Sequence, residues 1–452
     1  MYNTNKPSPF YLAKVTFKDI QGFEYLSADF LGESGDVRMC SMLLGDNSSG
    51  KTAFLRCLAL GICDGTSAAG LMRYLQGNLV QHGKQSGTIA VELIRPGNRL
   101  HSYLIVTEIE PVPVAEQLTK KFYHISNNGS EIQTSARDFP LDNLFVCAYG
   151  AGRVSGQTTD KHEYYRIIEA VSNLFHYVQP MQHPELSLRR IISAAQKNVH
   201  EAEKIQAGQE TLFRFQKLIE KLFMFEDQDT VELTEKGIEV VSAKKHSSLL
   251  THGDGYKNTA AWVLDFITWN MLAGRSLDPD NISGIVLIDE IEQHLHPRWQ
   301  RHIVKLLREA FPKVQFIATT HSPLCAAGTA DLNDDENQLL RLHKKDSEQT
   351  ELNIIPSLRG FRADQVLTSE AFGLATTRNP DLAEKLKAFG ELYLKASRDK
   401  YEEQKFLELR DFLDEYLPES AEDSETRLMQ QKLKKMLKDI GIVSNVKGKD
   451  HD

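Results

Sequence analysis

The sequence lacks long hydrophobic runs, paired cysteines and an excess of positive charge. Its 452 residues contain no run of about 18 consecutive apolar residues, the length that a membrane-spanning helix requires. The opening residues, MYNTNKPSPFYLAK, do not include the apolar core of a signal peptide. We therefore expect a cytoplasmic protein that makes no membrane contact.

Cysteine is also scarce. Five cysteines occur, and no two of them form a C-x-x-C pair. Neither a disulfide framework nor a zinc site is indicated. We expect buried thiols at Cys40, Cys57, Cys63, Cys147 and Cys325.

The charge balance is acidic, with a formal net charge of −9 and a pI near 6.0. This balance argues against a globally basic nucleic-acid-binding protein. Any contact with nucleic acid is then local or made by a partner. The best local candidates are four lysines on a predicted final helix, for which a solvated face is the alternative: Lys432, Lys434, Lys435 and Lys438.

Residues 45–52 read GDNSSGKT and match the phosphate-loop pattern G-x-x-x-x-G-K-[ST] at every position. Apolar residues precede this stretch and AFLRCLALGI follows it, which supplies the expected strand, loop and helix. Lys51 would reach the β- and γ-phosphates of ATP, and the Thr52 hydroxyl would bind Mg²⁺. The predicted nucleotide-binding residues here are Gly45, Asp46, Asn47, Ser48, Ser49, Gly50, Lys51, Thr52 and Ala53.

Residues 285–297 read IVLIDEIEQHLHP. Four apolar, mostly β-branched residues before two carboxylates predict a buried parallel strand that delivers Asp289 and Glu290 to its carboxyl edge. One carboxylate can hold Mg²⁺ while the other polarises an attacking water. Alone, the pattern also fits an ordinary strand end. The phosphate loop makes nucleotide chemistry the better interpretation.

The remaining patterns predict an α/β protein with a central, mostly parallel sheet and an antiparallel β subdomain. A strand over residues 11–23 is expected to open the sheet that the phosphate loop completes. Further predicted elements are a hairpin at 88–106, strands at 144–153, 231–241 and 314–322, and helices within 163–225 and at 260–272 and 300–310. The predicted domains are residues 1–155 and 229–380 (the two parts of an ATPase head), 156–228 (a helical insertion) and 381–452 (a helical region for oligomerisation or partner binding).

Several residues have open alternatives. Arg153 or Gln157 is a candidate sensor of the γ-phosphate, against a plain turn. His294 and His296 form an H-x-H pair without a recognisable third metal ligand, so a dimer contact is preferred. The acids within residues 331–336 do not follow an apolar strand, which favours a solvated loop over nuclease metal ligands.

The order GDNSSGKT, THGDGYKNT, IVLIDEIEQHLHP and IATTHS resembles the ATP-binding-cassette-type ATPases, which include the SMC, Rad and OLD groups. The resemblance implies that Asp289 is the Mg²⁺ ligand, Glu290 the catalytic glutamate and His321 the switch histidine, with Lys51 also catalytic. It further implies a signature turn that faces the γ-phosphate of a second subunit: Gly253, Asp254, Gly255 and Tyr256. Gly253 stands where this family commonly has serine, which puts one trans hydrogen bond and the hydrolysis rate in doubt.

Residues 359–379, RGFRADQVLTSEAFGLATTRN, are similar to the ATPase subunits of Septu anti-phage systems. That similarity implies a homo-oligomer that controls an HNH nuclease partner, with nucleic acid contacted through the partner. Two alternatives stay open: a DNA-repair or chromosome-type ATPase that binds DNA directly, and a scaffold with structural ATP and little turnover.

Overall fold

The computed structural model of the chain describes residues 9–416 apart from short gaps at 96–97, 114, 127–128, 142–143, 154–163, 177–179, 197–201, 226–228, 235–236, 243–244, 252–253, 346–348 and 396. The chain divides into two compact units, Met1–Leu374 and Ala375–Asp452. Gln157, Gly253 and the predicted basic final helix lie outside the described residues. Among the described helices, none is long and apolar enough to span a bilayer.

The strands are β1 (Tyr11–Ile20), β2 (Phe23–Asp29), β3 (Cys40–Leu44), β4 (Gly87–Arg95), β5 (Asn98–Val112), β6 (Ala115–Ile125), β7 (Glu131–Thr134), β8 (Val146–Tyr149), β9 (Thr230–Thr234), β10 (Gly237–Ser242), β11 (Lys245–Ser248), β12 (Ser283–Ile288), β13 (Lys313–Thr319), β14 (Asn337–Lys345) and β15 (Gln349–Ile355). The helices are α1 (Lys51–Ile62), α2 (Gly65–Met72), α3 (Ile167–Phe175), α4 (Pro184–Gln196), α5 (Ala202–Leu222), α6 (Asp254–Leu272), α7 (Pro297–Ala310), α8 (Pro323–Gly328), α9 (Ala363–Thr368), α10 (Pro380–Leu394) and α11 (Lys400–Tyr416).

A six-stranded sheet in the order β15-β14-β3-β13-β12-β8 carries the motifs. All of its neighbouring strands pair in parallel except β14 and β15. β3, β12 and β13 run in the same direction, so their carboxyl ends lie at one edge of the sheet. The phosphate loop, the paired carboxylates and the histidine come just after these ends and therefore lie at that edge. The predicted mostly parallel central sheet is confirmed.

Both faces of this sheet are buried, as its apolar strands predict. Along β12, Ile285 and Leu287 face a core shared with α1 and the N-terminal strands. Val286 and Ile288 face a second core shared with α6 and α7. Because side chains alternate along a strand, successive residues of β12 pack into two different cores. Packing on both faces fixes the position of the segment that follows β12.

The N-terminal strand belongs to a different sheet from the one predicted. β1 lies in an antiparallel sheet of order β2-β1-β4-β5-β6-β7, whereas β3 lies in the parallel sheet. The prediction that residues 11–23 open the sheet of the phosphate loop is therefore wrong. Apolar and polar residues alternate along this stretch. That alternation is typical of an antiparallel sheet with one solvated face, and not of a parallel sheet that is buried on both faces. The predicted hairpin is confirmed as β4 and β5, which pair antiparallel.

The middle of the chain contains the predicted helices α3, α4 and α5, followed by a three-stranded sheet in the order β11-β10-β9. Gly237 begins β10 with φ 144°. β11 was not predicted, because the sequence KHSS is too short and too polar to show a strand pattern. In the second unit, α10 and α11 pack through stacked Phe389 and Phe406 rings, 4.8 Å apart between centroids.

The five cysteines are free and buried, as predicted. Burial raises the pKa of four of these thiols to about 12, namely Cys40, Cys57, Cys63 and Cys325. The pKa of Cys147 is also raised well above its ordinary value by burial. These groups are therefore neutral, unreactive core residues at physiological pH.

Lys120 on β6 caps the helix that follows the phosphate loop. Its Nζ donates to the carbonyl oxygens of Leu60 (2.6 Å) and Gly61 (2.9 Å), in the last turn of α1 where carbonyls lack helical partners. Burial of the ammonium group lowers the pKa of Lys120 from 10.5 to about 7. The unfolded chain therefore binds more protons than the folded chain between these two values.

We expect Lys120→Met to destabilise the protein by about 1–3 kcal/mol near pH 9, because two buried carbonyls lose their donor. The loss should be smaller near pH 7, since the lowered pKa makes this lysine's contribution to stability grow as pH rises from about 7 toward 10.5. Urea unfolding at both pH values measures it. Lys121→Met, which removes an exposed ion pair with Glu108, is the control. A Lys120→Met effect that is the same at both pH values would contradict the assignment.

Candidate functional site

The phosphate loop has the backbone that its glycines predict. Gly45 has φ 150° and Gly50 has φ 98°, values that L side chains rarely adopt. A Cβ on Gly45 would meet the Leu342 carbonyl oxygen, and one on Gly50 would lie 3.2 Å from the Phe23 ring. Ser48 is also left-handed, with φ 66°. The loop therefore approaches its neighbours closely and leads directly into α1, whose free amides point toward the site.

Lys51 is the first residue of α1 and is 6% exposed. Its Nζ donates to the carbonyl oxygens of Gly45 (2.7 Å) and Asp46 (3.0 Å), so the ammonium group lies folded over the loop. Burial lowers the pKa of Lys51, and the nearby charge of Asp289 is the largest of the effects that oppose this shift. A buried cation that is paired mainly with carbonyl oxygens is well suited to bind a phosphate.

The Thr52 hydroxyl donates to Asp289 Oδ2 at 2.7 Å, although the two residues are 237 positions apart in sequence. The other oxygen, Oδ1, accepts a 2.6 Å hydrogen bond from Thr319 Oγ1. Asp289 is 2% exposed. The predicted pair Thr52 and Asp289 is therefore brought together, and Thr319 fixes the rotamer of the carboxylate.

Glu290 follows in a left-handed conformation, with φ 48°. Its N–H donates to Thr319 Oγ1 at 2.8 Å, so one hydroxyl holds both acidic residues. A non-glycine residue with positive φ is strained, and it keeps that conformation only where its surroundings impose it. The hydrogen bond from the N–H of Glu290 to Thr319 is one of the contacts that hold the conformation in place.

Arg153 fixes the same turn from the β8 side. Its Nη1 and Nη2 donate to the carbonyl oxygens of Asp289 (2.8 Å) and Glu290 (2.9 Å). Burial lowers the pKa of Arg153 to about 10, with the charges of Asp289, Glu292 and Glu290 opposing the shift. The guanidinium group remains charged at neutral pH. Arg153 therefore contacts the backbone of the acidic motif.

His321 lies two residues beyond the end of β13 and is exposed. Its backbone N–H donates to Glu292 Oε1 at 2.5 Å. The preceding Thr320 donates its N–H to the Leu43 carbonyl oxygen, just before the phosphate loop. The histidine is thus tethered between the strand that enters the phosphate loop and the segment that follows the acidic strand.

Three of the four predicted signature residues, Asp254, Gly255 and Tyr256, begin α6, and Gly253 lies outside the described residues. α6 begins at Asp254, so residues 254–257 form the first helical turn and not a separate glycine turn. A Cβ on Gly255 would lie 2.6 Å from the His294 carbonyl oxygen. Tyr256 packs in an aromatic cluster, with ring centroids 5.8 Å from Phe223 and 4.6 Å from Trp299. The start of α6 therefore packs on the segment that follows the acidic strand.

The other polar candidates lie outside this arrangement. His296 caps α7, its Nδ1 accepting from the Arg298 N–H at 3.3 Å. Asp331 forms a bidentate ion pair with Arg301, at 2.6 and 2.9 Å, and the hydrogen bond from Arg301 lowers the pKa of this carboxyl. Across the described part of the chain, the one group of three potential metal ligands consists of surface residues on β9, β10 and β11: Glu232, Glu239 and His246.

Sequence reasoning missed Thr319 and Glu292. Threonine within an apolar strand is ordinary, and its contact with Asp289 depends on the pairing of β12 with β13. A signal existed for Glu292, because it lies within the same acidic stretch as Asp289 and Glu290. Without the fold, its contact with His321 could not be inferred.

The residues present fit Mg²⁺-bound nucleotide. A threonine hydroxyl and a carboxylate are hard oxygen donors of the kind that Mg²⁺ prefers, and the structure places them 2.7 Å apart. Ser49 Oγ in the loop is buried without a hydrogen-bond partner. A loop with a buried cation and an unpaired hydroxyl has the polar groups that a phosphate would satisfy.

Thr319→Val should reduce stability and impair the acidic motif together. The substitution keeps the shape of the side chain but leaves Asp289 Oδ1 and the Glu290 N–H without a partner, for a cost of about 2–4 kcal/mol. Chemical unfolding and ATP turnover measure the two effects. Thr319→Ser retains the hydroxyl and is the matched control. Equal stability of the two variants would show that the hydroxyl does not support the motif.

The parallel sheet, the phosphate loop and the paired carboxylates at one sheet edge are the features of an α/β fold of the ATP-binding-cassette ATPase type. A family model described as "AAA domain, putative AbiEii toxin, Type IV TA system" matches residues 270–326, which include the acidic strand and the histidine. The chain is similar to Septu protein PtuA of Bacillus mycoides, with 26% identity over 90% of this chain and 51% of that protein.

Two further likenesses are shorter or more distant. A retron Vc95 probable ATPase of Vibrio cholerae is 40% identical over 25% of this chain and 24% of that protein. The SMC head domain from Thermotoga maritima aligns with 14% identity and a TM-score of 0.42, covering 76% of this chain and 99% of that structure. The chain thus spans about half the length of the Bacillus mycoides relative, and less of the Vibrio protein.

Proposed function

We propose that this chain is the ATP-binding and ATP-hydrolysing subunit of an anti-phage defence complex. The observation that carries the chemical part is the hydrogen bond from Thr52 to Asp289, because it places the phosphate-loop hydroxyl against the acidic strand. The similarity to Septu protein PtuA over 90% of the chain supports the biological part.

In this proposal each site residue has a separate task. Lys51 binds the β- and γ-phosphates, and Glu290 orients and polarises the attacking water. His321 contributes a hydrogen bond at the γ-phosphate. Thr52 and Asp289 hold Mg²⁺, which supplies charge neutralisation at the phosphates. Thr319 and Arg153 keep the acidic pair in place through the contacts described above.

Two copies of the chain share each ATP in the proposed assembly. Residues 253–256 face the phosphate loop of the second copy, so that nucleotide binding and dimerisation strengthen each other reciprocally. Of these residues, the structure describes Asp254, Gly255 and Tyr256 as the first residues of α6. Tyr256 then serves as the packing anchor that orients the helix start, since it stacks within the aromatic cluster.

The nucleotide state is proposed to control an associated HNH nuclease, through which the complex contacts nucleic acid. The acidic charge of this chain, −9 in total, supports contact with nucleic acid through the partner. The second unit, with its paired helices α10 and α11, is a candidate region for partner binding or oligomerisation.

Coexpression of the chain with the product of its adjacent gene tests this function. We expect an HNH nuclease to copurify, and phage protection to depend on both proteins and on Lys51. The molecular mass of the purified chain in solution should be larger with ATP than without ATP. Copurification of a protein of another class, or steep salt-dependent duplex DNA binding by the chain alone, would overturn the proposal. Retained nucleotide with negligible turnover would favour the scaffold alternative.

A further inference from the structure

Glu292 is a third carboxylate at the site, and neither the phosphate-loop pattern nor the acidic pair assigns it a task. It lies two residues after Glu290, in the segment between β12 and α7. Its Oε1 accepts the hydrogen bond from the backbone N–H of His321. It also lies close enough to Lys51 and Arg153 to interact with both charges. Glu292 therefore contacts the histidine loop from within the acidic segment.

The histidine depends on few other contacts. Thr320 is fixed on one side by the Leu43 carbonyl oxygen, and Ser322 on the other side caps α8 by accepting from the Leu324 and Cys325 amides. Between these two anchors, the N–H of His321 is held by Glu292 alone among the described hydrogen bonds. A hydrogen bond to a charged acceptor is about twice as strong as a neutral one.

The second carboxylate oxygen of Glu292 indicates that this residue does more than stabilise the loop. Oε2 is buried and has no hydrogen-bond partner in the described structure. A carboxylate oxygen left unpaired in the interior is costly. Such unpaired groups in folded proteins tend to be retained at functional sites.

We propose that Glu292 is a positioning residue for ATP hydrolysis, which through Oε1 holds the His321 backbone so that the imidazole stands at the γ-phosphate. This inference rests on the proposed ATPase function and deepens it. Glu292 couples the acidic segment to the histidine, so that both move as one unit when the nucleotide binds. It donates no proton and contacts no reacting atom.

Steady-state ATP turnover by Glu292→Ala, Glu292→Gln, His321→Ala and the Glu292→Ala/His321→Ala double variant tests this inference. Glu292→Ala should lower kcat about 10- to 100-fold, as expected when a positioning contact is lost. The KM for ATP should not rise, because removal of a negative charge near a triphosphate does not weaken its binding. Glu292→Gln retains an acceptor oxygen and should restore kcat to within about threefold of wild type.

The double variant separates positioning from general support of the fold. If Glu292 acts through His321, Glu292→Ala should lower kcat less than about threefold further in the His321→Ala background. The inference would be overturned if the fold-losses in kcat of the two single substitutions multiply in the double variant, or if Glu292→Ala hydrolyses ATP at the wild-type rate. Either result would leave the proposed ATPase intact. Absence of turnover in the wild-type protein would instead remove both. Glu309→Ala, on the exposed surface of α7, is the control, and thermal unfolding of each variant checks its folding.

Discussion

Glu290→Gln is expected to yield a protein that binds ATP and Mg²⁺ but scarcely hydrolyses ATP. The substitution keeps the size of the side chain and removes the carboxylate that polarises the attacking water. General-base contributions of this kind are worth about 10²–10⁴-fold in rate, and we expect turnover to fall at least about 100-fold. The backbone contacts that impose the left-handed conformation of residue 290 do not involve its side chain, so the fold should be unchanged.

Two measurements on the same sample distinguish this result from loss of binding. Phosphate release gives the rate, and equilibrium binding of labelled ATP gives the affinity, which should stay within about threefold of wild type. Glu309→Gln on the protein surface serves as the charge-matched control. Turnover at the wild-type rate would remove Glu290 from its catalytic role, whereas a parallel fall in affinity and rate would make it a binding residue.

Lys51→Ala is expected to abolish ATP binding at ordinary nucleotide concentrations. The substitution removes the only cation in the loop of residues 45–52, whose charge interacts with those of Asp46 and Asp289. Loss of a buried, hydrogen-bonded charge partner costs about 3–5 kcal/mol, which corresponds to at least a 100-fold rise in Kd. Isothermal titration with ATP and Mg²⁺ measures it.

The matched control for this variant is Lys305→Ala, which removes an exposed lysine of α7 that lies 3.9 Å from Glu309. It should bind ATP as the wild type does. Thermal unfolding in the absence of nucleotide should show that Lys51→Ala is folded, because its hydrogen bonds to Gly45 and Asp46 are local to the loop. Wild-type affinity in Lys51→Ala would place the triphosphate elsewhere.

Much of the site follows from the sequence because its residues come in contiguous motifs. GDNSSGKT determines a loop, a cation and a hydroxyl within eight residues, and IVLIDE contains both the strand and the carboxylates. The meeting of Thr52 with Asp289 then follows from a general property of parallel sheets, whose loops converge at one edge. The mostly parallel order of the central sheet was predictable for the same reason.

What the sequence did not reveal depends on tertiary packing. Alternation in residues 11–23 indicates a strand, but only the pairing of β1 with β2 and β4 assigns it to the antiparallel sheet. The hydrogen bonds of Thr319 and Glu292 cross between elements whose alignment no local pattern encodes. Tyr256 was assigned to the nucleotide by motif order, while its position in the aromatic cluster depends on Phe223 and Trp299, which come from two other helical regions.

The most direct test of the account is a structure of the Glu290→Gln protein determined with ATP and Mg²⁺. The account predicts one triphosphate on residues 45–52, with the metal bound by Thr52 and Asp289 and the His321 side chain toward the γ-phosphate. A triphosphate bound at another surface, or a metal bound away from Thr52 and Asp289, would contradict it.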